Sequence, residues 1–360
     1  MKTNLSKSDT AKIIERCQRE LAQTFANIGA VEREPFAPSG GSDIKPGEIY
    51  LANESVFTQQ YFDEPLTTYA VGWRDPSNIE AALEFFAPEV SVPRRFTYKE
   101  WSNVEEFLSE GSNDDLRAIG GEFATVKYTG VETHARTDNR GLRIRVDLDE
   151  VADPNSALAG GIPAYQARAV EKLKRRLARN SLRRAVALLS AAATNTAKTW
   201  DTTAGKDPDQ DLRSDLVTGA TARGFKSNRV GYGETAWTKR ALSLRGQNTA
   251  GGYASAGLDE AGVARLLGLE QVHVDSARYS AQGAALAEIV NNLVLEFFAL
   301  SGSDIEDATN IKRFTSPTDG GGPIRVYVQQ VTSKLVDITV EKYELCKITS
   351  TLGIRKLTIS

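Results

Sequence analysis

The sequence has no excess of charge of either sign: 44 Lys and Arg stand against 47 Asp and Glu over 360 residues, a formal net charge of -3. General polyanion binders carry a strong positive excess, so any contact with nucleic acid has to be local. Cysteine is almost missing. Cys17 and Cys346 lie far apart, one on a predicted helix and one on a predicted strand, which excludes a disulfide framework and fits a reducing, cytoplasmic origin. No run approaches the roughly 18 apolar residues that span a bilayer. The opening MKTNLSKSDTAKIIERC lacks the apolar stretch of a secretory signal, so a soluble protein that is not exported by that route is expected.

Chemistry-bearing motifs are also scarce. The two histidines, His134 and His273, fall in separate predicted strands with no Cys, His or carboxylate at metal-ligand spacing, and read as structural side chains. No Ser sits in a G-x-S-x-G elbow and no G-x-x-x-x-G-K-[ST] loop occurs; Gly231-Tyr232-Gly233 is too short for a dinucleotide fingerprint and suits a strand-to-helix turn. The acidic run Asp147, Asp149, Glu150 and Asp153 has the chemistry to hold a divalent cation, but reads more simply as a solvated strand end facing arginines. No catalytic site, cofactor or metal is expected.

What is present is unusual organisation. Over residues 9 to 28, Ile13, Ile14, Cys17, Leu21, Phe25 and Ile28 recur at helical spacing behind Ser8 or Asp9 as a cap. The Pro, Gly and Ser of residues 33 to 48 then make an extended linker, so residues 1–48 read as an arm. Pro88 and Pro93 interrupt short apolar runs over 78 to 98, as at edge strands or strand starts. Residues 99 to 121 mix Trp101, Val104, Phe107 and Leu108 with SEGSNDDLR, the composition of a projecting loop or short helix. A hairpin is predicted next: a strand over 123 to 136, a turn at TDNRG (137 to 141), and a return strand with Leu142, Ile144, Val146 and Leu148 on one face and Arg143, Arg145 and Asp147 on the other.

Pro163 stands where a first helical turn would begin, and a pattern free of Gly and Pro predicts a helix over 164 to 198, roughly 50 Å long. Tyr165, Val170, Leu173, Leu177, Leu182, Val186 and Leu189 form its apolar stripe. From residue 203 helices and strands alternate: a helix opened by Asp207-Pro208, a strand over 228 to 233, helices over 234 to 244 and 259 to 267, and strands over 272 to 274 and 293 to 298. That order suggests an α/β module of about 110 residues. Alternation of Ile324, Val326 and Val328, then of Val336, Ile338 and Val340, predicts two antiparallel strands over 323 to 350.

The long helix carries Arg168, Lys172, Lys174, Arg175, Arg176, Arg179, Arg183 and Arg184 within about five turns. Such a cluster either lies on a solvated, salt-bridged face or neutralises phosphates. The slightly acidic chain favours the first reading. Arginine forks also suit carboxylates of a neighbouring subunit.

Several stretches resemble the major capsid proteins of tailed bacteriophages with the HK97 fold. These are VKYTGVETHARTDNRGLRIRVDLDE before the long helix, LLSAAATNTAKTWDTTAGKDPDQDL after it, SNRVGYGETAWTKRALS, AGVARLLGLEQVHVDSARYS, and DITVEKYELCKITSTLGI near the end. In similar proteins the third stretch reads approximately P-N-x-hydrophobic-G-x-x-x-W-x-x-L; Asn228, Gly233, Trp237 and Leu242 sit near those positions, with Ser227 in place of the proline. The resemblance implies an α+β fold of defined parts: an N-terminal arm (1–48), the start of a peripheral domain (49–84), an extended loop hairpin with flanking strands (85–148), a spine helix (149–202), an axial α/β domain (203–322) and a terminal peripheral sheet (323–360). It further implies a non-enzymatic subunit that assembles as hexamers and pentamers into an icosahedral head around double-stranded DNA. Portal, scaffold and decoration proteins would be its other partners, with no membrane; assembly would take place in the host cytoplasm and the product would be the virion. Phe25, Trp101, Phe107, Arg168, Arg175 and Arg179 are the expected subunit-interface residues. Two rivals stand beside this. One is an encapsulin-like compartment shell, with an apolar lumenal groove for a cargo peptide. The other is an α/β enzyme with its catalytic module at residues 203–300, which predicts a pocket with perturbed titrating groups.

Overall fold

The computed structural model describes residues 61–100, 116–117, 119–123, 130–147, 149, 161–203, 205–281, 284–302, 304–307, 309–319 and 321–360. The arm with Phe25, and the loop positions Trp101 and Phe107, lie outside the described residues.

Helix α1 (Glu64–Gly72) starts where the Asp63 carboxylate accepts the Leu66 N–H at 2.8 Å, with a proline in its first turn. Helix α2 (Ile79–Phe86) follows, then strands β1 (Glu89–Ser91), β2 (Arg95–Glu100), β3 (Val131–Arg136) and β4 (Asp138–Asp147). The long helix α3 (Gly161–Ala192) leads into β5 (Thr194–Lys198). Helix α4 (Pro208–Arg223) is capped by Asp207, whose carboxylate accepts from Asp209 and Gln210 N–H, and it ends at Gly224 with φ 101°. Then come β6 (Arg229–Gly233), α5 (Glu234–Gly246), α6 (Ala250–Ala256), α7 (Glu260–Leu267) and β7 (Gln271–Asp275). The remaining strands are β8 (Arg278–Tyr279), β9 (Ala287–Glu288), β10 (Leu293–Phe297), β11 (Ile311–Ser316), β12 (Arg325–Gln330), β13 (Leu335–Ile348) and β14 (Arg355–Ile359).

Two five-stranded sheets carry the molecule. In the first, β13 is the axis: β11 and β12 follow one another along one of its edges, β4 takes the other, and β1 pairs parallel to β11. The second runs β5-β14-β10-β6-β7, with β14 parallel to β5, β6 parallel to β7, and β10 antiparallel to both its neighbours. Two ribbons, β2–β3 and β8–β9, complete the set.

The α3 stripe does what its spacing predicts. Val170, Leu173 and Leu177 pack with Val326, Ile338 and Val340 on the first sheet, with Tyr165 partly buried at the edge of that cluster. Leu182, Val186 and Leu189 pack instead with Phe85 and Phe86 of α2 and with Leu295 and Phe297 of the second sheet. One helix thus bridges two cores. Each such leucine contributes about 1.5–3 kcal/mol of burial, and the helix is continuous because no Gly or Pro interrupts it between the two.

Four expectations need correcting. The helix stops at Ala192 instead of 198: Thr194–Lys198 pairs residue for residue with β14, and the threonines suit a strand better than a helix end. No hairpin joins the two strands around TDNRG. β3 pairs with β2, β4 pairs with β13, and the single residue between them, Thr137, is 1% exposed, with its hydroxyl 2.9 Å from Ser316 Oγ and its N–H donated to Arg94 O at 3.0 Å. The apolar alternation was correct but its partner is distant: Leu142, Ile144 and Val146 stand opposite Val340, Ile338 and Val336, while Arg145 faces Asp337 and grips it with both nitrogens at 2.7 and 2.9 Å. The terminal sheet expected over 323–360 holds for β12 and β13, yet β14 crosses to the second sheet; conversely β11, inside the 203–322 module, pairs with β13 in the first. Finally, residues 79–86 are helical, and Pro88 precedes β1, a strand at the sheet edge.

Candidate functional site

The basic cluster on α3 divides into two groups once its neighbours are in place. Lys174 is 6% exposed; its ammonium donates to Ala70 O at 2.9 Å and to Trp73 O, closing the last turn of α1, and pairs with Glu80 at 3.1 Å. Arg175 binds Asp75 at 3.1 Å and lies over the Trp73 ring. Burial pushes the Asp75 carboxyl up, but hydrogen bonds from Ser77 and the Arg175 guanidinium hold it below its ordinary value. Arg184 donates to Glu344 of β13 at 2.8 Å and to Ser181 Oγ at 3.0 Å.

Glu344 is the hub of that last group. It is 1% exposed, in contact with Lys342, whose Nζ also donates to Ser181 Oγ at 2.8 Å. Burial alone would raise its pKa; the Lys342 ammonium, the Ser181 hydroxyl and the nearby Arg313 guanidinium outweigh this and hold it at about 2. Lys342 is pushed down by burial against the pull of Glu344. Arg313 is itself shared between Glu84 and Glu89, at 2.9 and 2.8 Å. These pairs tie α3 to β13, α1 and α2.

The other group consists of the remaining five cations of the helix. Arg168, Lys172 and Arg176 are exposed, Arg179 and Arg183 half-buried, and all five fall at steps of four, four, three and four residues on one face. Arg183 lies 3.7 Å over the Tyr279 ring, and Arg179 Nε is buried without a hydrogen-bond partner among the described residues. Lys172 and Arg176 make no ion pair among the described residues. No Asp or Glu occurs between Lys172 and Lys198, and Glu171 is engaged by the Tyr69 hydroxyl. The stripe runs about 22 Å along the helix. Four like-charge neighbours at these spacings cost the free helix about 1–2 kcal/mol at low salt.

Of the residues expected at an interface, Arg168 and Arg179 lie on this stripe, whereas Arg175 is turned to Asp75. Sequence spacing alone could have found Lys172 and Arg176, four and eight residues after Arg168; the diversion of Arg175 and Arg184 needs Asp75 and Glu344, 100 and 160 positions away.

A second cluster sits at the carboxyl ends of parallel strands β6 and β7, where open α/β sheets often bind ligands. Burial pushes Asp275 up to about 6, although the Ala277 N–H pulls the other way. Around it, Glu288 accepts from the Thr235 hydroxyl at 2.9 Å, and Arg278 pairs with Glu234 and Glu288. Arg278, Glu234 and Glu288 are spent on one another, while Asp275 Oδ2 is buried without a hydrogen-bond partner among the described residues. His273, also on β7, packs against Phe85 with ring centres 5.2 Å apart, and burial lowers its pKa; His134 Nδ1 meets Thr97 Oγ1 at 2.8 Å. Asp149 pairs with Lys334 at 2.6 Å and Asp147 accepts the Asp149 N–H, while Glu150 and Asp153 lie outside the described residues. Among the described residues no group of three or more His, Cys, Asp or Glu is placed to hold a metal, and no helix is long and apolar enough to cross a membrane.

Exposed apolar side chains gather elsewhere. Leu116, Ile119, Phe123 and Val131 are all exposed, and all belong to the segment between β2 and the first residue of β3. The base of that segment is anchored, because Phe96 and Tyr98 of β2 pack on Phe314 with ring centres 4.6 and 5.4 Å away. Leu116, Ile119 and Phe123 expose apolar surface that a lone subunit leaves in water.

No family model and no curated protein matches the sequence. Among solved structures, a phage-related protein from Bordetella bronchiseptica RB50 superposes with a TM-score of 0.59 at 15% identity, over 82% of this chain and 96% of that one. Looser likenesses include the putative capsid protein of a prophage of E. coli CFT073 (TM-score 0.49, 11% identity, 83% of this chain and 99% of that one). The holo-SrpI encapsulin complex of Synechococcus elongatus PCC 7942 is another (TM-score 0.43, 9% identity, 80% and 90%). The α+β fold of this chain is that of the Bordetella phage-related protein, which bears out the α+β class expected from the sequence.

Proposed function

We propose that this chain is a shell-building subunit, the major capsid protein of a tailed phage, with no catalytic role. The observation that carries the reading is the segment between β2 and β3, whose Leu116, Ile119, Phe123 and Val131 are exposed on an anchored base. A neighbouring subunit is the natural cover for such surface. On this reading residues 1–48 are the arm, 85–148 contain the extended loop, α3 is the spine, residues 203–322 form the axial part at a capsomer centre, and residues 323–360 return to the peripheral sheet. Hexamers and pentamers of the chain would close an icosahedral head around double-stranded DNA, with portal, scaffold and decoration proteins as further partners and the virion as destination. Many shared, individually weak contacts would then add across the lattice.

Deleting residues 101 to 122 tests this. Loss of capsomers and particles by sedimentation, with the circular dichroism of the subunit retained, is expected; equal loss of both contradicts the reading.

A second reading is an encapsulin-like compartment shell; the open groove of about 470 Å³ beside α3 sets Asn180, Arg183 and Arg184 against Val186, Ala187, Ile289 and Leu293, a mixed lining that does not single out an apolar cargo peptide. Terminase, portal and protease genes beside this one would support the phage; a neighbouring peroxidase or ferritin-like gene would support the compartment.

A further inference from the structure

We infer that Glu296, at the centre of the second sheet, is folded as the neutral acid, and that its ionisation is a built-in switch that loosens α4 from that sheet as pH rises. The inference goes beyond the proposed shell and concerns the subunit alone. Glu296 lies on β10, the middle strand, bonded to β14 on one side and β6 on the other. It stands opposite Arg355 and Val230 in register, so its side chain shares the face that carries Val230, Val294 and Leu357. Leu212 and Leu216 of α4 pack on that face. Gly219, one turn beyond Asp215, comes so close that a Cβ there would stand 3.2 Å from Arg355 Cδ. Glu296 is thus roofed by α4 and is 1% exposed.

Both Glu296 carboxyl oxygens are buried without a hydrogen-bond partner among the described residues, and so is Asp215 Oδ2. A carboxylate shielded from water and from donors is far costlier than the same group carrying a proton, so the site favours the acid form. The cations around it are committed elsewhere. Arg355 places Nη2 2.6 Å from Asp215 Oδ1 and 3.0 Å from Thr196 Oγ1, and its Nε has no hydrogen-bond partner among the described residues. Lys226, just after α4, donates to Leu267 O. Arg223, at the end of α4, donates to Asn310 Oδ1. From β6, Tyr232 adds a buried hydroxyl, while α7 brings the apolar Val263, Ala264 and Leu267. Two carboxyls therefore compete for one guanidinium, and Asp215 holds it. Glu296 is left to carry the proton. Burial and the Asp215 charge push its pKa well above the ordinary value, against the pull of Arg355 and Lys226.

Loss of that proton sets two carboxylates against each other beneath α4. Because β10 is bonded along both edges, the helix above is what gives way. The raised value fixes the sign: stability from the proton is complete below pH 4.5 and is lost as pH rises through the folded pKa. Within that window opening of α4 releases one proton, so it grows about tenfold per pH unit.

Hydrogen exchange of the full-length, dissociated protein, read on α4 peptides from about pH 5 to about pH 9 and corrected for intrinsic exchange, measures this opening. Wild-type protection in α4 should fall about tenfold per pH unit more steeply than that of Glu296→Gln, until the folded pKa is reached. Asp275 is the same in both proteins and cancels. Infrared difference spectra, wild type minus Glu296→Gln at about pH 7, should show the C=O stretch of one protonated carboxyl, a signature that a merely structural role does not supply. If the Gln variant fails to fold, Asp215→Asn takes over: with Arg355 released to Glu296, the same band should be lost from the variant and appear in the difference spectrum. Equal slopes in wild type and Glu296→Gln, or a carboxylate band in place of the protonated one, overturn the inference. Neither readout involves particles, so failure of the shell reading would appear separately, as their absence.

Discussion

Replacing Glu344 by Gln should weaken the protein more than any single surface change. The carboxylate is 1% exposed and stands among Lys342, Arg184 and Ser181, with Arg313 nearby. Its pKa of about 2, against an ordinary 4.5, corresponds to about 3 kcal/mol of linkage. The folded-state value is depressed, so that contribution is present above pH 4.5 and lost as pH falls toward 2. Glutamine removes the charge and leaves the Lys342 ammonium buried without its counter-ion, a situation that costs about 3–5 kcal/mol. Urea denaturation of dissociated subunits at pH 3, 5 and 7 should therefore show a deficit of about 3–5 kcal/mol at pH 7 that narrows at pH 3. The double replacement Glu344→Leu/Lys342→Met removes both buried charges and should recover more than half of the loss. A deficit below about 1 kcal/mol, or one equal at pH 3 and pH 7, would refute the view that this network fastens α3 to the sheet.

Asp275→Asn should act in the opposite sense. Its folded pKa is raised from 3.8 to about 6, so stability from its protonation is complete below pH 3.8 and lost as pH rises through 6. The variant should gain about 2–3 kcal/mol at pH 8 and almost nothing at pH 4, by the same denaturation assay. Gly233→Ala should prevent β6 from turning into α5, because a Cβ there would stand 1.6 Å from Asn291 O; a loss at the upper end of about 1–3 kcal/mol or insoluble protein is expected, read by soluble yield and thermal midpoint. Leu189→Ala empties a fully buried site between α3 and the second sheet and should cost about 2–5 kcal/mol with the helix content by circular dichroism retained.

The sequence was most legible where order is local. The α3 stripe, the Asp207 cap with its proline, and the alternation of β12 and β13 all follow from neighbours a few residues away. It was least legible where partners are distant. TDNRG has turn composition, but β13 offers β4 a matching apolar row and an aspartate for Arg145, and ten paired residues outweigh turn preference. β14 likewise crosses to β10 and β5, a choice no local pattern records. The same limit governs the site. All eight cations of α3 are plain in the sequence, yet which are structural and which face solvent is decided by Asp75, Glu80 and Glu344.

Electron microscopy of the purified full-length protein, alone and with phage assembly factors, bears most directly on the proposed role. The account predicts uniform capsomers or closed hollow particles in which the segment between β2 and β3 lies over an adjacent subunit. A monomer or dimer under every condition, with Leu116, Ile119 and Phe123 left in solvent, would contradict it.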